Sequence, residues 1–204
     1  MSIDFFVKII LIGEANAGKT TIVERFCKSD LSNLYNPTIG VEFNSSIVEY
    51  NDKKVKLQFW DTAGQEIFAP IIKNYYKNVA GLFLVVDLTS SKSISKIGFW
   101  LEEYNKNKND CNYDSKIIIV GNKKESNKRV ICYNDINEIC KNKGYEYYEV
   151  SALNNENIEE IKEKMLSSIF KNIENGNNLG ISGPKTILLS ETTNKNDKTC
   201  CCMQ

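Results

Sequence analysis

The residues with the clearest chemistry are G-E-A-N-A-G-K-T, Gly13 to Thr20, directly after the apolar run Phe5–Ile12. Their spacing is G-x-x-x-x-G-K-[ST]. Two glycines let a backbone wrap closely, so that successive N–H groups turn inward and cradle phosphate oxygens. In that reading Lys19 reaches the β- and γ-phosphates of a nucleotide, and the Thr20 hydroxyl ligates Mg²⁺. A helix starting near Gly18 aims its positive end at the same charge. The nucleotide-binding set is Gly13, Ala15, Asn16, Ala17, Gly18, Lys19, Thr20 and the adjoining Thr21.

A second stretch, W-D-T-A-G-Q-E (Trp60–Glu66), adds what a phosphate reaction needs. Asp61 at a strand end can hold Mg²⁺ through water. Gly64 lets its N–H approach a γ-phosphate. Gln65 is neutral, so it can orient a water by both donating and accepting hydrogen bonds, which makes it the catalytic candidate. The sequence has no histidine. Ser-His-Asp and Cys-His pairs and every His-ligated metal site are thereby excluded. Catalysis must rest on carboxylate, amide, lysine or a bound ion.

The elements that must position these residues follow from periodicity. Strands are expected at Phe5–Ile12, Val41–Tyr50, Lys54–Trp60, Leu82–Asp87, Lys116–Gly121 and Tyr145–Val150, with Asn51-Asp52 as a hairpin turn. Helices are expected at Gly18–Cys27, roughly Glu66–Lys77, Ser93–Asn107, Asp135–Lys143 and Asn157–Asn172. Alternation of this kind predicts an α/β fold, a mostly parallel sheet with one antiparallel hairpin, whose ligands sit at the carboxyl ends of the strands. No internal repeat is visible.

The chain has 204 residues, 42% of them hydrophobic, and 26 basic against 26 acidic residues. That is enough for one sizeable core. The charge balance argues against a general nucleic-acid binder. No apolar run approaches the ~20 residues of a membrane-spanning helix. Phe5–Ile12 lacks a cleavage site, so no signal peptide is expected, and Ser2 after Met1 excludes myristoylation. Of seven cysteines, Cys27, Cys111, Cys132 and Cys140 have no metal-ligand spacing and are expected to be reduced thiols.

Together, G-E-A-N-A-G-K-T and W-D-T-A-G-Q-E resemble the Ras superfamily of small GTPases. I-G-V-E-F (Ile39–Phe43), K-L-Q-F-W (Lys56–Trp60), W-D-T-A-G-Q-E-I-F (Trp60–Phe68), Y-Y-K-N-V (Tyr75–Val79) and V-D-L-T (Val86–Thr89) narrow the resemblance to the Rab family, over about residues 5–172. The resemblance implies a P-loop NTPase G domain at residues 1–172, with a six-stranded sheet and about five flanking helices. It implies a Rab-like GTP hydrolase, slow alone and dependent on an activator, cycling between GDP and GTP in vesicular membrane traffic. Thr38 would be the switch threonine, meeting Mg²⁺ and the γ-phosphate only with GTP bound. Thr20, Thr38 and Asp61 would hold the metal. Leu31–Gly40 and Gly64–Asn78 would be the two switches. Ile39, Phe43, Trp60, Phe68 and Tyr75 would meet effectors. Other implied partners are an exchange factor, a GTPase-activating protein, a GDP-dissociation inhibitor and the prenylation machinery, with the protein itself monomeric.

Guanine selection in this family rests on N-K-x-D, whose aspartate accepts from the base. Here the stretch is G-N-K-K-E: Asn122 and Lys123 match and Glu125 replaces the aspartate. The extra methylene forces the carboxylate to retreat or rotate. A misplaced bidentate contact costs about 1–3 kcal/mol by analogy with base readout. In E-V-S-A-L, Ser151 and Ala152 match the base-contacting turn, with the Ala152 N–H expected to face the base oxygen, while Leu153 replaces the usual lysine. Leu31 stands where an aromatic often crosses the base. These departures predict a looser pocket and faster exchange. The only arginines are Arg25 and Arg129, neither in a switch, so no arginine finger comes from the chain itself.

Residues 173–204 are polar and read as a disordered tail. They end T-C-C-C-M-Q, with cysteine four residues from the end, a prenylation signature. Cys200-Cys201 resembles the double-cysteine ending of Rabs, with palmitoylation of Cys202 as another route to a second lipid. Two chains anchor stably where one does not. The expected location is the cytoplasmic face of intracellular membranes, with a soluble cytosolic pool. Two other readings remain at this stage. One is a nucleotide-binding scaffold with little turnover, favoured by Leu31, Glu125 and Leu153. The other is an adenine-nucleotide enzyme, which W-D-T-A-G-Q-E opposes.

Overall fold

A computed structural model describes residues 2–28, 38–64, 69–108 and 115–174. Among them are six strands: β1 Phe5–Ile12, β2 Val41–Tyr50, β3 Lys53–Thr62, β4 Gly81–Asp87, β5 Lys116–Asn122 and β6 Glu146–Glu149. They form one sheet in the order β2-β3-β1-β4-β5-β6. Only β2 and β3 pair antiparallel. Their connection, Asn51 and Asp52, has both φ angles positive (48° and 59°), the backbone of a tight hairpin turn that asparagine and aspartate tolerate.

β1 lies between β3 and β4, so the chain leaves it first to one side of the sheet and later to the other. A crevice therefore opens beyond its carboxyl end, which is where the Gly13–Thr20 loop emerges. Burial along β1 and β4 explains their place in the middle. Val7, Ile9 and Leu11 enter one core with Phe83 and Val85; Ile10 and Ile12 enter the other with Leu82, Leu84 and Val86. Strands covered on both faces need such continuous apolar runs.

The first core is closed by α1 (Lys19–Phe26) and α6 (Ile158–Glu174), through Ile22, Phe26, Ile161, Met165 and Ile169. Phe26 stacks on Phe59 with centroids 5.1 Å apart. The second core is closed by α2 (Ala69–Ile72), α3 (Ser91–Ser95), α4 (Ile97–Asn107) and α5 (Tyr133–Lys143). Ile72, Ile97, Trp100, Leu101 and Ile136 supply its apolar mass.

The expected fold class holds, with local corrections. The helix expected at Glu66–Lys77 is, within the described residues, the four residues of α2 followed by a 3₁₀ turn at Lys73–Tyr75. Pro70 lies in its first turn, where a missing N–H costs nothing. The helix expected at Ser93–Asn107 begins earlier, after an extended Ser90, and breaks at Lys96. The serine-rich start S-K-S-I-S is a weak helix former. α5 starts two residues early because Cys132 caps it, and the Asp135 carboxylate accepts the Cys132 N–H at 3.0 Å. α6 runs past the expected end at Asn172 to Glu174. Among the described residues, no helix is long and apolar enough to cross a membrane.

Candidate functional site

The expected phosphate end is assembled by β1, α1 and the end of β3. Gly18 caps α1 in the left-handed region (φ 89°), and a Cβ there would lie 2.2 Å from the Asn122 amide nitrogen. Only glycine fits. α1 has no side-chain cap and no acidic residue in its first turn, so its leading N–H groups keep their partial positive charge for a ligand. Lys19 is 5% exposed, and its Nζ donates to the carbonyls of Gly13 (2.9 Å) and Glu14 (2.8 Å). Burial pushes this ammonium down to about 8, against the attraction of Asp61 and Glu14. Thr21 follows on the same first turn, and Ala15 and Asn16 are exposed along the loop, with Ala17 buried beneath.

Gly64 approaches this loop closely. Its carbonyl accepts the Ala15 N–H at 3.0 Å, and a Cβ on Gly64 would meet Ala15 N at 2.1 Å and the Glu14 carbonyl carbon at 2.2 Å. Two segments about fifty residues apart in sequence thus touch backbone to backbone, a contact that any side chain would break.

Three oxygens expected to hold magnesium converge here. Thr20 Oγ1 donates to Asp61 Oδ2 at 2.5 Å, and Thr38 Oγ1 lies 3.1 Å from Thr20 Oγ1 and 3.3 Å from Asp61 Oδ2. Asp61 is fully buried, and its Oδ1 has no hydrogen-bond partner. Burial raises its carboxyl above the usual range, opposed by the Thr20 bond and the Lys19 charge. One carboxylate and two hydroxyls are hard oxygen donors and leave positions for water and phosphate oxygens, the set that Mg²⁺ takes with a nucleotide. An orphaned buried carboxylate oxygen fits such an ion. Among the described residues no cluster of three His, Cys, Asp or Glu offers another metal site.

The expected base end is built by the ends of β5 and β6. Asn122 stitches three segments together: its Nδ2 donates to Ala17 O (2.8 Å) and its Oδ1 accepts the Ala152 N–H (3.0 Å). The Ala152 amide, expected to face a base oxygen, is therefore already engaged, and a base would be its second, shared acceptor. Lys123 adopts φ 69°, and its Nζ pairs with Asp87 Oδ2 at 2.7 Å; Thr89 N–H and Oγ1 donate to Asp87 Oδ1. Burial raises the Asp87 carboxyl, but those bonds and the lysine charge outweigh it and hold it below the usual range. Glu125 Oε2 is buried without a partner, the second orphaned carboxylate oxygen among the described residues. Ser151 is fully buried; its Oγ accepts the Asn154 N–H at 2.9 Å and its backbone pairs with Glu156. The Leu153 side chain is 63% exposed.

Both arginines serve this end, which residue spacing alone did not reveal. Arg25 donates from Nε to Ala152 O (2.9 Å) and from Nη2 to Leu153 O (2.6 Å). Arg129 grips both Glu149 carboxylate oxygens (2.9 and 2.6 Å) and donates from Nε to Ile131 O.

Outside this crevice, Phe43, Trp60 and Tyr75 form one continuous aromatic cluster, with neighbouring centroids 5.0 Å apart in each pair. Phe43 is 47% exposed and Ile39 84%. Lys8, the one charge in β1, lies over the Trp60 ring. Gln65, Phe68, Leu31, Cys200, Cys201 and Cys202 lie outside the described residues.

Comparison with known proteins gives a consistent picture. The family model described as Ras family matches residues 8–171. The chain is 33% identical to the Ras-related protein SEC4 of Saccharomyces cerevisiae over 98% of this chain and 93% of that one. It is 36% identical to the Ras-related protein Rab-4 of Dictyostelium discoideum, over 84% of this chain and 83% of that one. With the Ras-related protein Rab11A of Lotus japonicus the identity is 34%, over 91% and 86% respectively.

Proposed function

The chain belongs to the Ras family of small GTPases, on its Rab branch, and from that premise we propose that it is a GTP-hydrolysing switch that recruits effectors in vesicular membrane traffic. The observation that carries this is the convergence of Thr20, Thr38 and Asp61 oxygens beside the start of α1, with Asp61 Oδ1 left over. Thr38 belongs to a different segment from the other two, so a ligand that engages all three ties that segment to the phosphate loop.

Lys19 and the leading amides of α1 would bind the phosphates. Magnesium held by Thr20, Thr38 and Asp61 would neutralise charge on the phosphate oxygens. Gln65 would orient a water in line with the γ-phosphorus; its P–O bond forms as the bond to the bridging oxygen breaks, giving GDP and phosphate. Arg25 and Arg129 are both committed at the base end, so neither is available at the γ-phosphate. Turnover would therefore be slow alone and rise roughly 10³–10⁵-fold with an activating protein that brings an arginine, the range known for this superfamily. Loss of the γ-phosphate would release Thr38 and its loop, and with them the effector surface around Ile39, Phe43, Phe68, Trp60 and Tyr75. An exchange factor and a GDP-dissociation inhibitor complete the cycle, and lipid on Cys200 and Cys201 provides the membrane contact.

Single-turnover hydrolysis of preloaded GTP tests the reading. Phosphate release from the parent and its loss in Gln65→Leu are expected. Equal rates in the two proteins would remove Gln65 from its role, and no release from either would favour a scaffold without turnover.

A further inference from the structure

Arg25 stands in the last turn of α1, whose first turn carries Lys19 and Thr20. It reaches a turn 127 residues away in sequence. The three peptide groups of that turn are pinned in different ways. The Ala152 N–H donates to Asn122 Oδ1. The Ala152 and Leu153 carbonyls both accept from the Arg25 guanidinium. The Asn154 N–H donates to Ser151 Oγ. Among the described residues, one N–H of the turn is left without an acceptor, that of Leu153.

A trans peptide holds its C=O and N–H on opposite sides of one plane. The Leu153 N–H shares its plane with the Ala152 carbonyl. Arg25, by drawing that carbonyl toward α1, turns the Leu153 N–H away from α1. A guanidinium suits this task, because its fork spans two carbonyls at fixed spacing where a lysine offers a single mobile point. The grip is charge-assisted and so stronger than a neutral bond.

Resting on the guanine-nucleotide reading above, we infer that Arg25 is a positioning residue for base recognition. It holds the Leu153 amide hydrogen toward the oxygen on C6 of the guanine, as a donor beside the shared Ala152 amide. It also makes α1 a rigid link between the phosphate grip and the base grip. In this chain the link matters more than usual for two reasons. Glu125 stands where a shorter carboxylate would accept from the guanine N1–H and N2–H₂, beside the C6 oxygen on the same edge of the base, and the exposed Leu153 side chain leaves the turn to be fixed through its backbone.

A plain structural role, in which Arg25 only complements the negative end of α1, predicts something different: a charge-conserving lysine would suffice. The test uses the full chain loaded with either GDP or 2-aminopurine riboside 5′-diphosphate, which lacks the C6 oxygen. Release rates are measured for the parent, Arg25→Lys and Arg25→Ala, with circular dichroism as a check of folding. Loss of the fork across both carbonyls is expected to speed GDP release about tenfold in Arg25→Lys, which keeps at most one of the two bonds, and at least as much in Arg25→Ala, which keeps neither, with the analogue changing less than about twofold. Unchanged GDP release in Arg25→Lys, or equal acceleration of both ligands, overturns the inference. If Arg25→Ala does not fold, the lysine variant alone decides. Parent protein that binds no GDP defeats the parent reading instead, a result visible before any variant is compared.

Discussion

The two ends of the nucleotide crevice are built on different principles. At the phosphate end nearly every contact is backbone or a short oxygen: loop carbonyls under Lys19, the leading amides of α1, and the Thr20, Thr38 and Asp61 oxygens. Side-chain choice is narrow there, as at Gly64, where a Cβ would lie 2.1 Å from Ala15 N. At the expected base end Glu125 stands where the family places aspartate, while the scaffold behind it carries both arginines of the chain. A phosphate group is the same in every nucleotide, so backbone amides and a few fixed side chains can grip it. A base is read through carboxylate and amide positions that a second layer can support, so substitutions there can be absorbed behind the first contacts.

The sharpest way to break this contrast is at the phosphate end. Lys19→Ala removes a buried cation that would face the phosphates, and affinity for Mg²⁺·GDP is expected to fall at least about a hundredfold, read by equilibrium titration. A fall of only a fewfold would mean that the loop amides suffice. Next comes Glu125→Asp, which shortens the reader by one methylene. Release of GDP is expected to slow by roughly ten- to a hundredfold, since a well-placed bidentate base contact is worth about 1–3 kcal/mol. Faster release in that variant would show that the pocket has settled around glutamate.

Gly64→Ala should act on the fold as well as the site. Its Cβ meets backbone, which cannot rotate aside, so destabilisation of about 1–3 kcal/mol in denaturant melts is expected. A neutral result would place Gly64 away from the loop in solution. The smallest effect belongs to Leu153→Lys. With that side chain 63% exposed, stability should change by no more than about 0.5 kcal/mol, which a paired denaturant melt would check.

Much of the architecture was legible because it rests on local patterns. β1 and β2 run over the residues that their apolar runs and alternation predicted, and the Asn51-Asp52 turn closes the hairpin between β2 and β3. The elements misjudged were those whose limits depend on less common signals. Cys132 caps α5 although cysteine is not a usual cap, and the serine-rich start of α3 hides a helix that breaks at Lys96. In the site, the spacing of Gly13–Thr20 and the placement of Asp61 point to a shared ligand from residue identity alone. The Arg25 grip had no such signal. It joins residues far apart in sequence through backbone carbonyls, which are the same at every position and so leave no mark in side-chain identity.

The central claim is that this crevice selects a guanine nucleotide in the presence of magnesium. The most direct measurement is displacement of a fluorescent GDP from the purified chain by unlabelled GDP and by ADP, with Mg²⁺ in excess. Displacement by GDP, with ADP inert even in large excess, is the predicted result; equal displacement by both, or no retained GDP at all, would contradict it.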